Sequence, residues 1–188
     1  MTSIRNRPAV VSDRVDVGHW EGDLVVGKRP SAVAELFERS TRYVRVVQLP
    51  DGYRADAVRT AIVEDLVQLP PAMRKSLTWG RGREMAEHQE MAEHLGLDVY
   101  FCDSRSPWQR GSNENTNRLL RRYLAKGADL SQLSIRSLDD IAERINTRPR
   151  RVLDWNNSHE PFWSRARAQY VSSADRSAGI SIDQGSIK

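Results

Sequence analysis

YFCDSRSPWQRGSNENTNRLLRRY, residues 100–123, is the stretch on which the fold turns. The apolar residues at 99–102 predict a short strand, and the loop after it carries Pro107, Gly111 and the polar string Ser112-Asn113-Glu114-Asn115. A helix then starts at about Asn113, with Leu119, Leu120, Tyr123 and Leu124 on one side, and ends at Lys126-Gly127, where glycine suits a left-handed cap. The loop therefore delivers one carboxylate, Glu114, to a helix start, as loops shaped for function commonly do.

Working outward, HWEGDLVV at His19–Val26 alternates and reads as a strand that puts Glu21 and Asp23 on one face. On that pattern alone the two acids are a solvent-facing pair. Segments 32–37 and 43–49 predict two further strands in an antiparallel meander. Apolar residues at helical spacing predict a helix over 54–69, stopped by Pro70-Pro71. Ser76–Trp79 reads as a brief strand, 80–82 as a turn and 84–95 as a helix, after which 99–102 joins the sheet in parallel. A last helix is expected over 138–146, with Ser137 and Asp140 resembling a capping pair. Residues 1–17 are basic and aperiodic. From Ser172 onward the low apolar content predicts disorder. The order β-β-β-α-β-α-β-α-α is that of an α/β ribonuclease-H-like fold, a mixed sheet with helices on both faces. Asp23 would then lie on a central strand, the turn after Trp79 at the end of a neighbouring strand, and Glu114 on a helix above them.

Composition sets the remaining bounds. At 188 residues the chain suits one domain. Lys plus Arg outnumber Asp plus Glu by 29 to 25, and a pI of about 9.5 favours an anionic partner such as nucleic acid. The lone cysteine, Cys102, excludes a disulfide framework and a cysteine-built zinc site. His88 and His94 are six apart, which matches no helical ligand pair. No run approaches the roughly 18 apolar residues of a membrane span, and the N-terminus lacks a signal-peptide core, so a cytoplasmic protein is expected, associated with the nucleoid when on DNA.

Four segments, GHWEGDL (18–24), LTW-G-RG-EMAEH (77–88), YFCD-SPWQRGSNENTN (100–117) and NTRPRRVLDW (146–155), resemble the catalytic core of transposases of the insertion sequence thirty family, within the DDE transposase and integrase superfamily. The resemblance implies an integrase-like core over 18–155, flanked by a basic segment at 1–17 and a divergent, partly disordered tail at 156–188. It implies DNA strand cleavage and transfer at element ends, with DNA and further copies of the chain as partners. Asp23 and Glu114 would be catalytic and would ligate Mg²⁺ or Mn²⁺. The second Asp of the family falls at position 80, where this chain has Gly80, with 33 residues between it and Glu114. Two divalent ions would supply an activated nucleophile and relieve charge on the leaving oxygen. A glycine offers no ligand, so the resemblance predicts an impaired enzyme.

Glu84 and Asp103 are the nearby acids that could substitute, but only by reaching the same point within about 0.5 Å. Arg118, one turn after Glu114, could draw that carboxylate aside. The basic run Arg148, Arg150, Arg151 around Pro149 is the leading phosphate-contact candidate, joined by Arg110, Asn113, Arg121 and Lys126 about the Glu114 helix. Trp20, Trp79 and Trp108 read as core or rim packing. The family's helix-turn-helix region has no counterpart in the chain, which suggests a truncated element. A non-catalytic DNA-binding or dimerising remnant is the alternative, and a carboxylate-pair glycosidase is disfavoured because nothing marks a sugar site.

Overall fold

The computed structural model describes residues 1–104 and 106–178, and for 107, 110–114 and 170–178 the backbone alone. Six strands form one mixed sheet: β1 (Thr2–Ser3), β2 (His19–Val26), β3 (Ala32–Glu38), β4 (Val44–Leu49), β5 (Ser76–Trp79) and β6 (Asp98–Phe101), in the order β1-β6-β5-β2-β3-β4. β2, β3 and β4 pair antiparallel as a meander, while β5 joins β2, and β6 joins β5, in parallel. The architecture is therefore the mixed α/β sheet of the ribonuclease-H-like fold.

Alternation along β2 divides the core in two. Trp20 faces α2 (Ala55–Leu66) and α3 (His88–Leu95), within a cluster that includes Val58, Ile62, Leu66, Met91 and Leu95. Val25 faces the other way, towards α4 (Gly111–Leu120) and α5 (Ile135–Asn146), with Phe37, Leu120, Leu138 and Ile145. Val58, Ile62 and Leu66 recur every four residues, which explains why this segment buries one stripe as a helix. Each such side chain contributes roughly 1.5–3 kcal/mol on burial. Trp20 is fully buried, donates its indole N–H to the Met73 carbonyl at 2.8 Å, and meets Phe162 edge-on.

Several local expectations are corrected. The N-terminal segment is structured: β1 adds in parallel to β6, and α1 (Ala9–Ser12) packs Val11 into the interior. Two strand residues and one helical turn are too short for periodicity to register. α4 ends at Leu120, earlier than expected, and Arg121 to Gly127 continue as turns that still bury Leu124; Gly127 does adopt a positive φ, 81°. α5 begins three residues earlier than predicted because Ser134, not Ser137, is its cap, accepting from the Ser137 amide at 3.1 Å. Finally, α6 (His159–Ala178) continues past Ser172, where disorder was expected; residues 179–188 lie outside the described residues. Its sequence shows no obvious apolar stripe, yet Phe162 and Ala166, four apart, are fully buried, with Phe162 stacked on Tyr43 at 4.0 Å.

β4 is an edge strand, and its backbone at Val44 is capped by a side chain. The buried Asn146 amide accepts from the Val44 N–H and donates to the Val44 carbonyl, both at 2.8 Å. No helix among the described residues is long and apolar enough to cross a membrane.

Gly22 lies on the Trp20 side of β2, against the Trp79 ring, and a Cβ there would fall inside that fully buried indole. Gly22→Ala should therefore lower stability by about 1–3 kcal/mol through overpacking, read as a reduced urea midpoint with an unchanged slope.

Candidate active site

Asp23 stands near the middle of β2 on the α4 side of the sheet, half-buried. One carboxylate oxygen accepts from the Leu24 amide at 3.0 Å, and the other from the Asn117 side-chain amide at 3.2 Å. Asn117 follows Glu114 by three residues on α4, so the two share a helical face. The first turns of α4 thus cross β2 at Asp23, as the sequence spacing requires, although the Glu114 side chain lies outside the described residues.

The β2–β5 register brings in the third position. Trp20 pairs with Leu77 and Glu21 with Thr78, and β5 ends at Trp79; Gly80 follows directly, and an unbroken register would set it abreast of Asp23. Gly80, where the resemblance puts a second carboxylate, carries no side chain. Among the described residues no three His, Cys, Asp or Glu side chains gather as a metal site. Gly80 has no donor atom, so the three positions that the resemblance singles out do not fit a centre that needs a carboxylate from each.

Neither neighbouring acid takes its place. Glu84 curls over Gly82 and accepts from the Trp79 indole N–H at 3.1 Å. Asp103 accepts from Arg5 at 3.0 Å and from the Gln109 side-chain amide at 3.1 Å; these partners hold its carboxyl below the ordinary carboxylate range, Gln109 contributing most. Arg118 donates to Asn115 at 3.0 Å. One acid escaped sequence reading: Glu35 pairs across the β2–β3 ladder with Asp23 and is fully buried. A carboxylate interrupting the apolar run AVAELF was the available signal.

Glu21 overturns the solvent-facing reading of the acidic pair. It is 1% exposed, forms an ion pair with Arg39, and has the Arg7 guanidinium at 4.0 Å. Arg39 also donates to the Val11 carbonyl at 3.0 Å, and Arg7 to the Thr78 hydroxyl at 3.3 Å, so both are fixed. Burial first, then the guanidiniums of Arg7, Arg14 and Arg42, draws Arg39 down to about 9. These groups line a cavity of about 520 Å³ together with Arg148, Arg150 and Arg151. Arg150 is lowered in turn by burial, and then by Arg42 and Arg148.

The other predicted contacts divide. Arg148 and Arg151 are exposed and Arg150 is half-buried at the cavity, while Lys126 is exposed. Arg121 is turned inward, donating to the Val26 carbonyl at 2.9 Å, which makes it a clamp between α4 and β2. The side chains of Arg110 and Asn113 lie outside the described residues. His88 and His94 bond backbone carbonyls. Trp20 and Trp79 are buried as expected, but Trp108 is 73% exposed at the cavity.

Residues 16–107 match the model of the integrase core domain. That stretch is an integrase core domain. It is 49% identical over 158 residues to the transposase for insertion sequence element IS1086 of Cupriavidus metallidurans, a match covering 84% of this chain and 46% of that protein. It is 44% identical over 159 residues to transposase InsI for insertion sequence element IS30A of Escherichia coli K12, covering 85% of this chain and 41% of that protein. This integrase core thus spans less than half the length of the curated relatives it matches. Among solved structures, the catalytic core domain of BIV integrase aligns with a TM-score of 0.61 at 16% identity, over 81% of this chain and 98% of that one. A simian T-cell lymphotropic virus intasome chain aligns with a TM-score of 0.52 at 16% identity, over 70% of this chain and 49% of that one. At such identities the likeness is one of fold.

In this integrase core, Glu21 is the carboxylate opposite Arg39. Glu21→Ala should cost about 3–5 kcal/mol, as removal of one partner from a buried pair does, and Arg39→Leu in the same chain should recover part of the loss. A double-mutant cycle by urea unfolding measures both.

Proposed function

We propose that this chain is the DNA-binding and strand-transfer core of an insertion-element transposase, impaired in its chemistry because Gly80 stands where the second carboxylate is needed. The observation that supports the reading is the parallel pairing of β2 with β5, which would set Gly80 level with Asp23 if continued two residues past Thr78. The curated relatives are named as transposases for insertion elements, and the four sequence segments shared with that class include the Asp23 and Glu114 motifs. In this reading 18–155 form the catalytic unit, DNA is the substrate, the protein works in the cytoplasm, and further copies of the chain assemble on paired ends.

The chain's own residues have definable tasks. Asn117 orients the Asp23 carboxylate by donating to one oxygen. Arg148 and Arg151, exposed beside the site, and Lys126 contact phosphates and position the strand; such contacts set affinity rather than sequence choice. Mg²⁺ or Mn²⁺ would be held by Asp23 and Glu114 together with a restored acid at 80, and no reaction step is assigned to the site as it stands.

A metal-dependent strand-transfer assay on element-end DNA tests this. Gly80→Asp should exceed the unaltered chain by at least about 100-fold, since losing a group that only orients a metal ligand already costs about 10–100-fold, and adding Asp23→Asn should abolish the gain. An inactive Gly80→Asp protein that still folds would overturn the assignment. The absent ligand and the arginine-rich face also favour a second reading, a non-catalytic DNA-binding remnant. It is supported if Asp23→Ala keeps its DNA affinity, with binding that falls steeply as salt rises, and if Gly80→Asp remains inert.

A further inference from the structure

The cavity at Glu21 has a chemistry that the carboxylate site does not account for. Its 520 Å³ or so lies within the roughly 300–1,000 Å³ of sites that enclose a small ligand. Its described lining carries seven arginines and one carboxylate, and Arg39 already pairs with that carboxylate. Among the described residues, guanidiniums therefore outnumber carboxylates at the cavity. Guanidinium is the group suited to phosphate, which it grips through two parallel N–H bonds. The Arg150 Nε is buried and, among the described residues, has no acceptor, although its Nη2 donates to the Ile145 carbonyl at 3.2 Å.

The wall supplies a second kind of contact. Trp108 is 73% exposed and Val152 67% exposed, both lining the cavity, while Phe37 lies under Arg42. An indole shown to water beside guanidiniums combines a stacking surface with a phosphate clamp, the pairing used to hold unpaired nucleotides. A duplex hides the faces of its bases in the stack, so only a base taken out of the helix can meet an indole in a concave site. Glu21 and Asp23 are two residues apart on one face of β2, about 7 Å along the strand, so a nucleotide held here adjoins the backbone lying at Asp23.

We propose that this cavity receives one unpaired nucleotide of the DNA strand, its phosphate on Arg42, Arg148 and Arg151 and its base against Trp108. The inference rests on the nucleic-acid reading above and adds a single-strand subsite to it. Fluorescence anisotropy with the full chain tests it, using a fluorescein-labelled oligothymidylate and a duplex of equal length at one salt concentration. Trp108→Ala and Arg151→Ala replace exposed side chains, and circular dichroism checks that both fold. Trp108→Ala should weaken oligothymidylate binding about tenfold or more and shrink the preference for single strand over duplex, while Trp108→Phe should restore most of it. Arg151→Ala should weaken oligothymidylate binding too. Unchanged oligothymidylate binding in both alanine variants, or an equal loss for the two probes in Trp108→Ala, would overturn the subsite while leaving the transposase reading standing. Failure of the unaltered chain to bind either probe would overturn both.

Discussion

The parallel register between β2 and β5 is the constraint from which the site follows. Pairing Glu21 with Thr78 assigns each residue of both strands to a face, and a slip by one residue would exchange those faces throughout. Trp20, fully buried and bonded to Met73, resists such a slip, because moving it would bring its indole to the α4 side and carry Glu21 into the apolar cluster. Gly22 adds to this restraint, since the Trp79 ring occupies the space its side chain would need. The same packing that fixes the core thus fixes where Asp23 and position 80 stand.

On the α4 face the sheet carries charge in its interior. Burying Glu21 is tolerable only with a partner, since an isolated carboxylate in that environment would cost several kcal/mol. Arg39 meets that need from the turn after β3, and Arg7 approaches from the N-terminal segment. Because α1 and Arg39 are joined through the Val11 carbonyl, the first residues of the chain belong to the site's architecture. Local structure, packing and electrostatics thus meet at Glu21.

What could be read from sequence, and what could not, follows from the physics of each part. His19–Val26 announced its strand because its alternation is long enough to have a period, and the meander followed from short polar turns. The Asp23, Gly80 and Glu114 segments were legible because uncommon residues coincide in fixed order, and Asn117 on α4 does reach Asp23. Glu21 was misread because alternation reports which side a residue faces, not whether that side is wet. The arginine wall was only partly visible: Arg148, Arg150 and Arg151 form a run, but Arg7, Arg14, Arg39 and Arg42 come from separate places and meet only in three dimensions. Trp108 was taken for packing because composition does not disclose exposure. The final helix went unseen because its buried positions, Phe162 and Ala166, lie among polar neighbours.

The buried amide of Asn146 has an implication for how copies of this chain can meet. At Val44 it occupies both the donor and the acceptor that an outer strand leaves open, which is one way folded proteins blunt a sheet margin. An incoming strand from another molecule would have to evict it and strand a fully buried polar group. While Asn146 stays in place, Val44 is closed to main-chain pairing with another strand.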